Sequence, residues 1–383
     1  MVPLLKSLFA PLLSLVFMMM ASGLFNTFVS VRLEMEGANP ESIGIVASAL
    51  YIGILLGSLQ IDRWITKVGH IRSFISFAIL LASLVLLQSL WINIWYWSLL
   101  RLLGGIATAG VFIVIESWLL MESTPKYRGV ILSVYLAFFY AALSLGQFLI
   151  DLADPMGPFP FFITATFLTL SILPVLLHRS SEPKLTHQAG RLTLTQMYRI
   201  SPHGFLGGVI SGMLLAAVYG LVPVYAKEMG MSLSEIGTFM AILIFGGFSL
   251  QLPVGRLADK TDRRRVLNIA SFSAASLAIA IALLSPDTSP LLFALAWLFG
   301  GFSFTLYPLS MACACEKVKD DQIVAATGGF VLSYGIGAIA GPLLAPLVMA
   351  LLGSHALFYF LALISLILGL IGLRKQTYPD NAN

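Results

Sequence analysis

Two charged residues interrupt one of the most apolar stretches of this 383-residue chain. Arg101, in the run Arg101-Leu102-Leu103-Gly104-Gly105-Ile106-Ala107, lies ten residues beyond Trp91, the first of an aromatic group with Trp95, Tyr96 and Trp97. Aromatic clusters of this kind mark the membrane–water interface, so the guanidinium stands well inside. It needs a partner or a wet cavity there, and such charges mark the paths of solutes and ions. A structural arginine bonded to carbonyls, or one snorkelling outward, is the alternative. Glu116 follows 15 residues later in the same run, about 22 Å along a helix and too far to pair with Arg101 directly. A carboxyl in low dielectric is a candidate proton carrier. Glu116 also lies near the end of its span, where it could equally clamp a basic residue.

No covalent chemistry is legible. The five histidines have no ligand spacing such as His-x-x-x-His, and no Gly-x-x-x-x-Gly-Lys-Ser/Thr phosphate loop occurs. The expectation is therefore no enzyme, no catalytic residues, no metal and no cofactor, and no ATPase within the chain. Cys313 and Cys315 stand two apart, on different sides of a helix, and read as packing residues.

The elements that hold these residues follow from composition. Hydrophobic residues make up 58% of the chain and charged residues 10%, with a mean hydropathy of +0.92, which excludes an ordinary water-soluble globule. The 33 glycines and 18 prolines suit helices that pack closely or bend in lipid. Lys6 precedes the apolar run Leu8 to Val31, which is too long for a signal peptide and reads as a first spanning helix. Further spans are expected near 42–65, 71–90, 94–121, 130–151, 159–177, 204–226, 235–257, 266–284, 290–314, 323–350 and 356–373, making twelve in all.

The basic residues set the orientation. If the even-numbered loops and both termini share one side, that side holds 19 of the 22 Lys and Arg, the other holds Arg32 and Lys227, and Arg101 is left inside the membrane. The basic side is expected to be cytoplasmic. This skew accounts for the net charge of +4 without a nucleic-acid partner. The longest connection, Arg179 to Pro202, includes Ser180-Ser181-Glu182-Pro183 and reads as a cytoplasmic linker (179–202) between residues 1–178 and 203–383. Leu192 to Ile200 suits a short amphipathic surface helix.

The chain also repeats itself. An offset of 193 places Ile43-Gly44 on Ile236-Gly237, Gly37 on Gly230, Arg63 on Arg256, Lys67 on Lys260 and Asn26 on Tyr219. An even number of spans separates the copies, so the repeat is parallel, about an axis along the membrane normal. At an offset of 196, Trp297-Leu298-Phe299-Gly300-Gly301 falls on the Arg101 run, leaving the arginine outside the repeat.

Both copies carry a polar turn after their second span. Gly255-Arg256-Leu257-Ala258-Asp259-Lys260-Thr261-Asp262-Arg263-Arg264-Arg265 is the better preserved; in the first copy Asp62, Thr66, Lys67, Gly69 and Arg72 occupy the corresponding places. Twelve spans, a 6+6 repeat and this turn resemble the major facilitator superfamily over essentially the whole chain. Asp262 departs from the family signature, standing for its second glycine. Phe304-Thr305-Leu306-Tyr307-Pro308, Ala312-Cys313-Ala314-Cys315-Glu316-Lys317-Val318 and Glu116-Ser117 are similar to the YcaD-like bacterial branch.

That resemblance implies an all-α membrane fold of two six-helix halves and a transporter in the bacterial inner membrane with both termini cytoplasmic. It makes Thr66, Lys67, Gly69, Arg72, Gly255, Asp259, Lys260 and Arg263 candidates for a cytoplasmic gate, in which Asp259 accepts hydrogen bonds from a neighbouring helix N-terminus. The alternative is that these charges are anchors only. Arg101 resembles the Arg-x-x-x-Gly motif associated with proton coupling. Cavity candidates within the spans are Asn26, Tyr51, Tyr135, Gln147, Tyr219, Gln251, Tyr307 and Tyr334; Asp151 and Asp154 belong at the periplasmic mouth. The resulting reading is a monomeric secondary transporter in contact with lipid, moving a small organic solute with protons. A multidrug exporter and a non-transporting sensor or scaffold are the other readings. Leu145-Gly146-Gln147-Phe148 in span 5 lacks the Gly-Pro pair of many drug antiporters, which appears instead as Gly341-Pro342 in span 11.

Overall fold

A computed structural model describes residues 2–121, 128–177, 194–284, 289–315 and 323–373. Lys126, Arg179, Lys184, Arg191, Glu316, Lys317, Lys319, Arg374 and Lys375, most of the linker, and the side chains of Lys6, Asp62, Arg63 and Arg128 lie outside the described residues. Among the described residues there is no strand, and twelve helices are long and apolar enough to cross a membrane. In chain order, helices 1 to 4 are Val2–Met35, Pro40–Val68, His70–Gln88 and Ile94–Met121. Helix 5 is Arg128–Gln147, continued by a 3-10 turn over Phe148–Leu152. Helix 6 is broken at Ser171 into Phe159–Leu170 and Ile172–Leu177. Helices 7 to 12 are Pro202–Glu228, Leu233–Lys260, Arg263–Leu283, Pro290–Cys315, Ile323–Leu352 and Ala356–Leu373.

The short helix expected over 192–200 forms as Leu194–Ile200. Its Met197 is fully buried against Ala314, Ala326 and Phe330 at the ends of helices 10 and 11. It therefore docks on protein as well as facing outward.

The repeat is visible in backbone detail. Helices 1 and 7 both end at a left-handed glycine, Gly37 (φ 81°) and Gly230 (φ 82°), a conformation that costs glycine little and other residues more. In each turn the next amide bonds back to the same carbonyl, Ala38 to Leu33 and Met231 to Ala226. Asn39 and Ser232 then cap helices 2 and 8 by accepting from the Ser42 and Glu235 amides. Every one of these pairs is 193 apart. The turns after helices 2 and 8 differ where the sequence does. Gly69 (φ 91°) links helices 2 and 3 as a single left-handed residue, whereas Asp262 adopts φ −70° and caps helix 9 by accepting from the Arg264 amide. The aspartate replaces a backbone device with a side-chain one.

Lipid supplies no hydrophobic force between helices, so small residues that let backbones touch decide which helices bind tightly. Helices 2 and 4 pack together, as do helices 8 and 10. A methyl group added at Gly53 would fall on the Leu102 carbonyl oxygen, and one at Gly105 on that of Leu50; Gly246 meets Trp297 and Gly300 meets Leu243 in the same way. These reciprocal contacts relate helix 4 to helix 10 by 195 residues. The offset of 196 read from the sequence is thus one too many: Gly105 matches Gly300, and Arg101 matches the fully buried Ala296. Helix 11 follows helix 5 by the same 195, with Gly146 against the Met20 carbonyl and Gly341 against that of Met213. Gln147 consequently occupies the place of Pro342.

The halves meet along two matching seams. Gly44 of helix 2 abuts the Pro342 carbonyl of helix 11, and Gly237 of helix 8 abuts the Gln147 carbonyl of helix 5. Ser48 donates to the Ile339 carbonyl at 2.9 Å, and Ser144 donates to that of Ala241 at 2.8 Å. A third bond runs from Ser30 to the Gly220 carbonyl at 2.8 Å. All of these lie toward the end of the bundle that carries turns 1–2 and 7–8, which they close. At the other, basic end Gly255 has open space around it, and the Asp259 side chain is 73% exposed.

The glycine contacts predict a contrast between neighbours. Gly105→Ala should destabilise the purified protein by about 1–3 kcal/mol through overpacking, seen as a lower unfolding temperature in detergent. A methyl at Gly104 meets nothing nearer than Leu81 Cδ2 at 3.8 Å, so Gly104→Ala should leave that temperature unchanged or raised.

Candidate functional site

A cavity of about 460 Å³ lies between the halves. Helices 1 to 6 build most of its wall, and helices 7, 10 and 11 complete it. Among the described residues, two charged side chains line it, Arg101 and Glu116.

Arg101 is 8% exposed. Its Nη2 donates to Asn26 Oδ1 at 2.6 Å, and its guanidinium carbon stands 5.5 Å from the centre of the Phe25 ring. The Nε has no hydrogen-bond partner. Side chains on a helix lean toward its N-terminus, so Arg101 leans toward the end of helix 4 that helix 3 also reaches. There the Trp97 indole donates to the Gln88 and Trp91 carbonyls at 3.0 and 2.9 Å. Gln88 also lines the cavity, is 2% exposed, and has an unpartnered Nε2.

Glu116, toward the basic end, is exposed on the cavity wall. Its Oε1 accepts from the Tyr135 hydroxyl at 2.9 Å, and it makes no ion pair with an arginine among the described residues. Beside it, Ser117 shares a 3.1 Å hydrogen bond with His70 Nε2.

Aromatic rings connect the charged ends. Tyr135, Phe139 and Tyr140 on helix 5 follow one another at centroid distances of 6.2 and 5.2 Å. Tyr140 meets Phe304 of the other half at 5.7 Å, as does Tyr219. Tyr307 and Tyr334 stand edge to face at 5.0 Å. Asn26, Tyr51, Tyr135, Tyr219, Tyr307 and Tyr334 all line the cavity, with Tyr140, Phe139, Phe25 and Gln88 beside them. Those last four escaped the sequence reading. The signals for them were the aromatic pair Phe139-Tyr140 within span 5 and an amide, Gln88, at the end of span 3.

Two of the sequence candidates do not line it. Gln147 is buried, and its Oε1 accepts from Thr27 at 2.6 Å; the seam around Gly237 holds its backbone, so its side chain serves helix packing. Gln251 is half-buried on helix 8, a helix with no residue on the cavity wall because its small face, Gly246 and Gly247, is pressed against helix 10. Asp151 and Asp154 are exposed beyond the closed end.

The gate candidates lie at and around the turns after helices 2 and 8. Asp259 lies 3.6 Å from Arg263 across its own turn. Thr66, Lys67, Arg72 and Lys260 are exposed, with Gly69 and Gly255 at intermediate depth. Among the described residues, the one ion pair of Asp259 is with Arg263 on the adjoining helix.

The sequence matches the Major Facilitator Superfamily over residues 12–319 and 204–383. It is 34% identical to the MFS-type transporter YcaD of Escherichia fergusonii over 370 residues, which cover 96% of this chain and 95% of the relative. It is also 34% identical to YcaD of Shigella flexneri over 365 residues, 94% of each. Among solved structures, the nucleoside transporter NupG aligns with a TM-score of 0.78 at 15% identity, covering 97% of this chain and all of that one. A D-xylose-proton symporter aligns with a TM-score of 0.74 at 14% identity, covering 96% and 97%. A twelve-helix bundle of two repeated halves, a cavity between them and sequence identity along nearly the full length lead to one assignment: the chain is a multi-pass membrane protein of the Major Facilitator Superfamily.

Proposed function

We propose that the protein is a secondary active transporter that moves a small organic solute across the bacterial inner membrane by alternating access, coupled to protons. The observation that carries this reading is the cavity itself, closed at one end by paired seams and containing one buried cation and one carboxyl at opposite ends. In this account residues 1–178 rock against residues 203–383 about the linker 179–202, and the monomer is the working unit. The basic end and both termini are cytoplasmic, so the conformation described here faces the cytoplasm. Closing it brings the turns of Lys67 and Lys260 together and engages Asp259 with a helix N-terminus, while the opposite seams part.

Glu116 is the coupling group in this reading. An ionised carboxylate is costly once the cavity closes around it, and a protonated one is not, so the closed, reorienting form is favoured with a proton aboard. An aromatic wall would also suit a lipophilic drug, and a cavity that exported such compounds would make the protein a multidrug exporter; uptake against efflux separates the two.

The deciding experiment is transport in proteoliposomes with an imposed pH gradient. Glu116→Gln should abolish gradient-driven accumulation at least tenfold and keep solute exchange at equal pH. Loss of both would remove Glu116 from coupling, and absence of any solute flux in the unaltered protein would favour a sensor or scaffold. Asp259→Asn should slow net transport several-fold by weakening the closed gate; unchanged rates would leave the basic turn as an anchor only. In a background lacking Cys313 and Cys315, Ser58→Cys on the cavity wall should react with a membrane-impermeant thiol reagent in inside-out vesicles. Ser144→Cys, held in the seam, should not.

A further inference from the structure

The polar half of the cavity is chemically one-sided. Arg101 ion-pairs with no carboxylate among the described residues; a neutral amide and the face of a phenyl ring are its neighbours. Its Nε and the Gln88 Nε2 are both donors, both on side chains more than nine-tenths buried, and both without an acceptor among the described residues. A buried charge left in this state is costly, and the cost falls when a ligand brings the opposite charge and fills the donors. Around them the wall is aromatic and aliphatic: Tyr51, Tyr219, Tyr334 and Phe25 with Leu and Val side chains.

We infer that the solute is an amphipathic aromatic monocarboxylate, its carboxylate received by Arg101 and the Gln88 amide and its ring system held by the tyrosine wall. A guanidinium fork suits a carboxylate better than any neutral group does. Other classes fit worse. A lipophilic cation would set like charge beside Arg101. A zwitterionic amino acid would need a carboxylate for its ammonium, and Glu116 is about 22 Å away along helix 4. A sugar would need many polar partners, and this wall is mostly apolar. The size, about 460 Å³, admits a one- or two-ring compound within the usual range of small-molecule sites. Carried with one proton, a monoanion crosses without net charge, so uptake should generate no current.

This inference rests on the transporter reading, and a binding assay keeps the two separable. Purified protein is tested by thermal shift and calorimetry against phenylacetate, naphthylacetate and indole-3-acetate, each with its neutral carboxamide and its amine counterpart on the same ring. At least one carboxylate should raise the unfolding temperature and bind at least tenfold tighter than its amide or amine. Arg101→Gln should weaken that binding at least tenfold, Arg101→Lys should restore part of it, and Gln88→Leu should weaken it several-fold; Gln88→Leu also serves if Arg101→Gln fails to fold. Amides or amines binding as well as the acids, affinity unchanged in Arg101→Gln, or no binding by any member of the set would overturn the assignment. Carboxylates that bind but show no flux in proteoliposomes would instead overturn the transporter reading and leave the site standing.

Discussion

A guanidinium held inside a membrane bundle, with no counter-charge paired to it among the described residues, is the constraint around which this molecule is arranged. Placing an arginine at the centre of a membrane helix costs about 2.5–3.5 kcal/mol even on the mildest scale, and Arg101 recovers little of that from one amide and one ring. Such a charge is stable only beside water or a ligand. The cavity on which it opens has room for either, and the repeat shows that the charge is a local addition, since the matching position of the other half is a buried alanine, Ala296.

What allows a wet cavity in an apolar bundle is the concentration of tight packing elsewhere. Glycine-to-carbonyl contacts fix helix 2 to helix 4 and helix 8 to helix 10, so that each half is stiff. Between the halves the glycine-to-carbonyl contacts lie toward one end, at Gly44 and Gly237, with the Ser48 and Ser144 hydrogen bonds beside them. Rigid halves joined at one end open at the other, and the cavity is the wedge between them. In the proposed cycle, opening that end would release three serine-to-carbonyl hydrogen bonds, each of about 0.5–1.5 kcal/mol, to water that can hydrate both partners.

Much of this was legible in the sequence because hydropathy and charge are coarse and repeat faithfully. The twelve spans, the docked helix at Leu194–Ile200 and the 193 offset follow from runs of residues, and the offset reappears in the twin glycine turns at Gly37 and Gly230. Side-chain direction was not legible. In a helix that is apolar all round, periodicity does not say which face meets a neighbour and which meets a cavity, so Gln147 and Gln251 looked no different from Tyr51 and Tyr334. The offset of 196 erred for a related reason. Two adjacent glycines, Gly300 and Gly301, both fit the pattern, and only the carbonyls of Leu50 and Leu243 distinguish them. Tyr140 acquires meaning from Phe304, far away in the chain, and Gln88 from the cavity that it shares with Arg101.

The central claim is that two stiff halves exchange closure between the ends of the bundle. The most direct measurement is of spin-label distances in a cysteine-free background, with one pair at Glu41 and Ser234 across the seamed end and another at Lys67 and Lys260 across the basic end. Gly237→Trp then drives a wedge into one seam. The account predicts that the Glu41–Ser234 distance lengthens while the Lys67–Lys260 distance shortens. If the wedge opens the seamed end and leaves the basic end where it was, the halves do not rock as units and the account is contradicted.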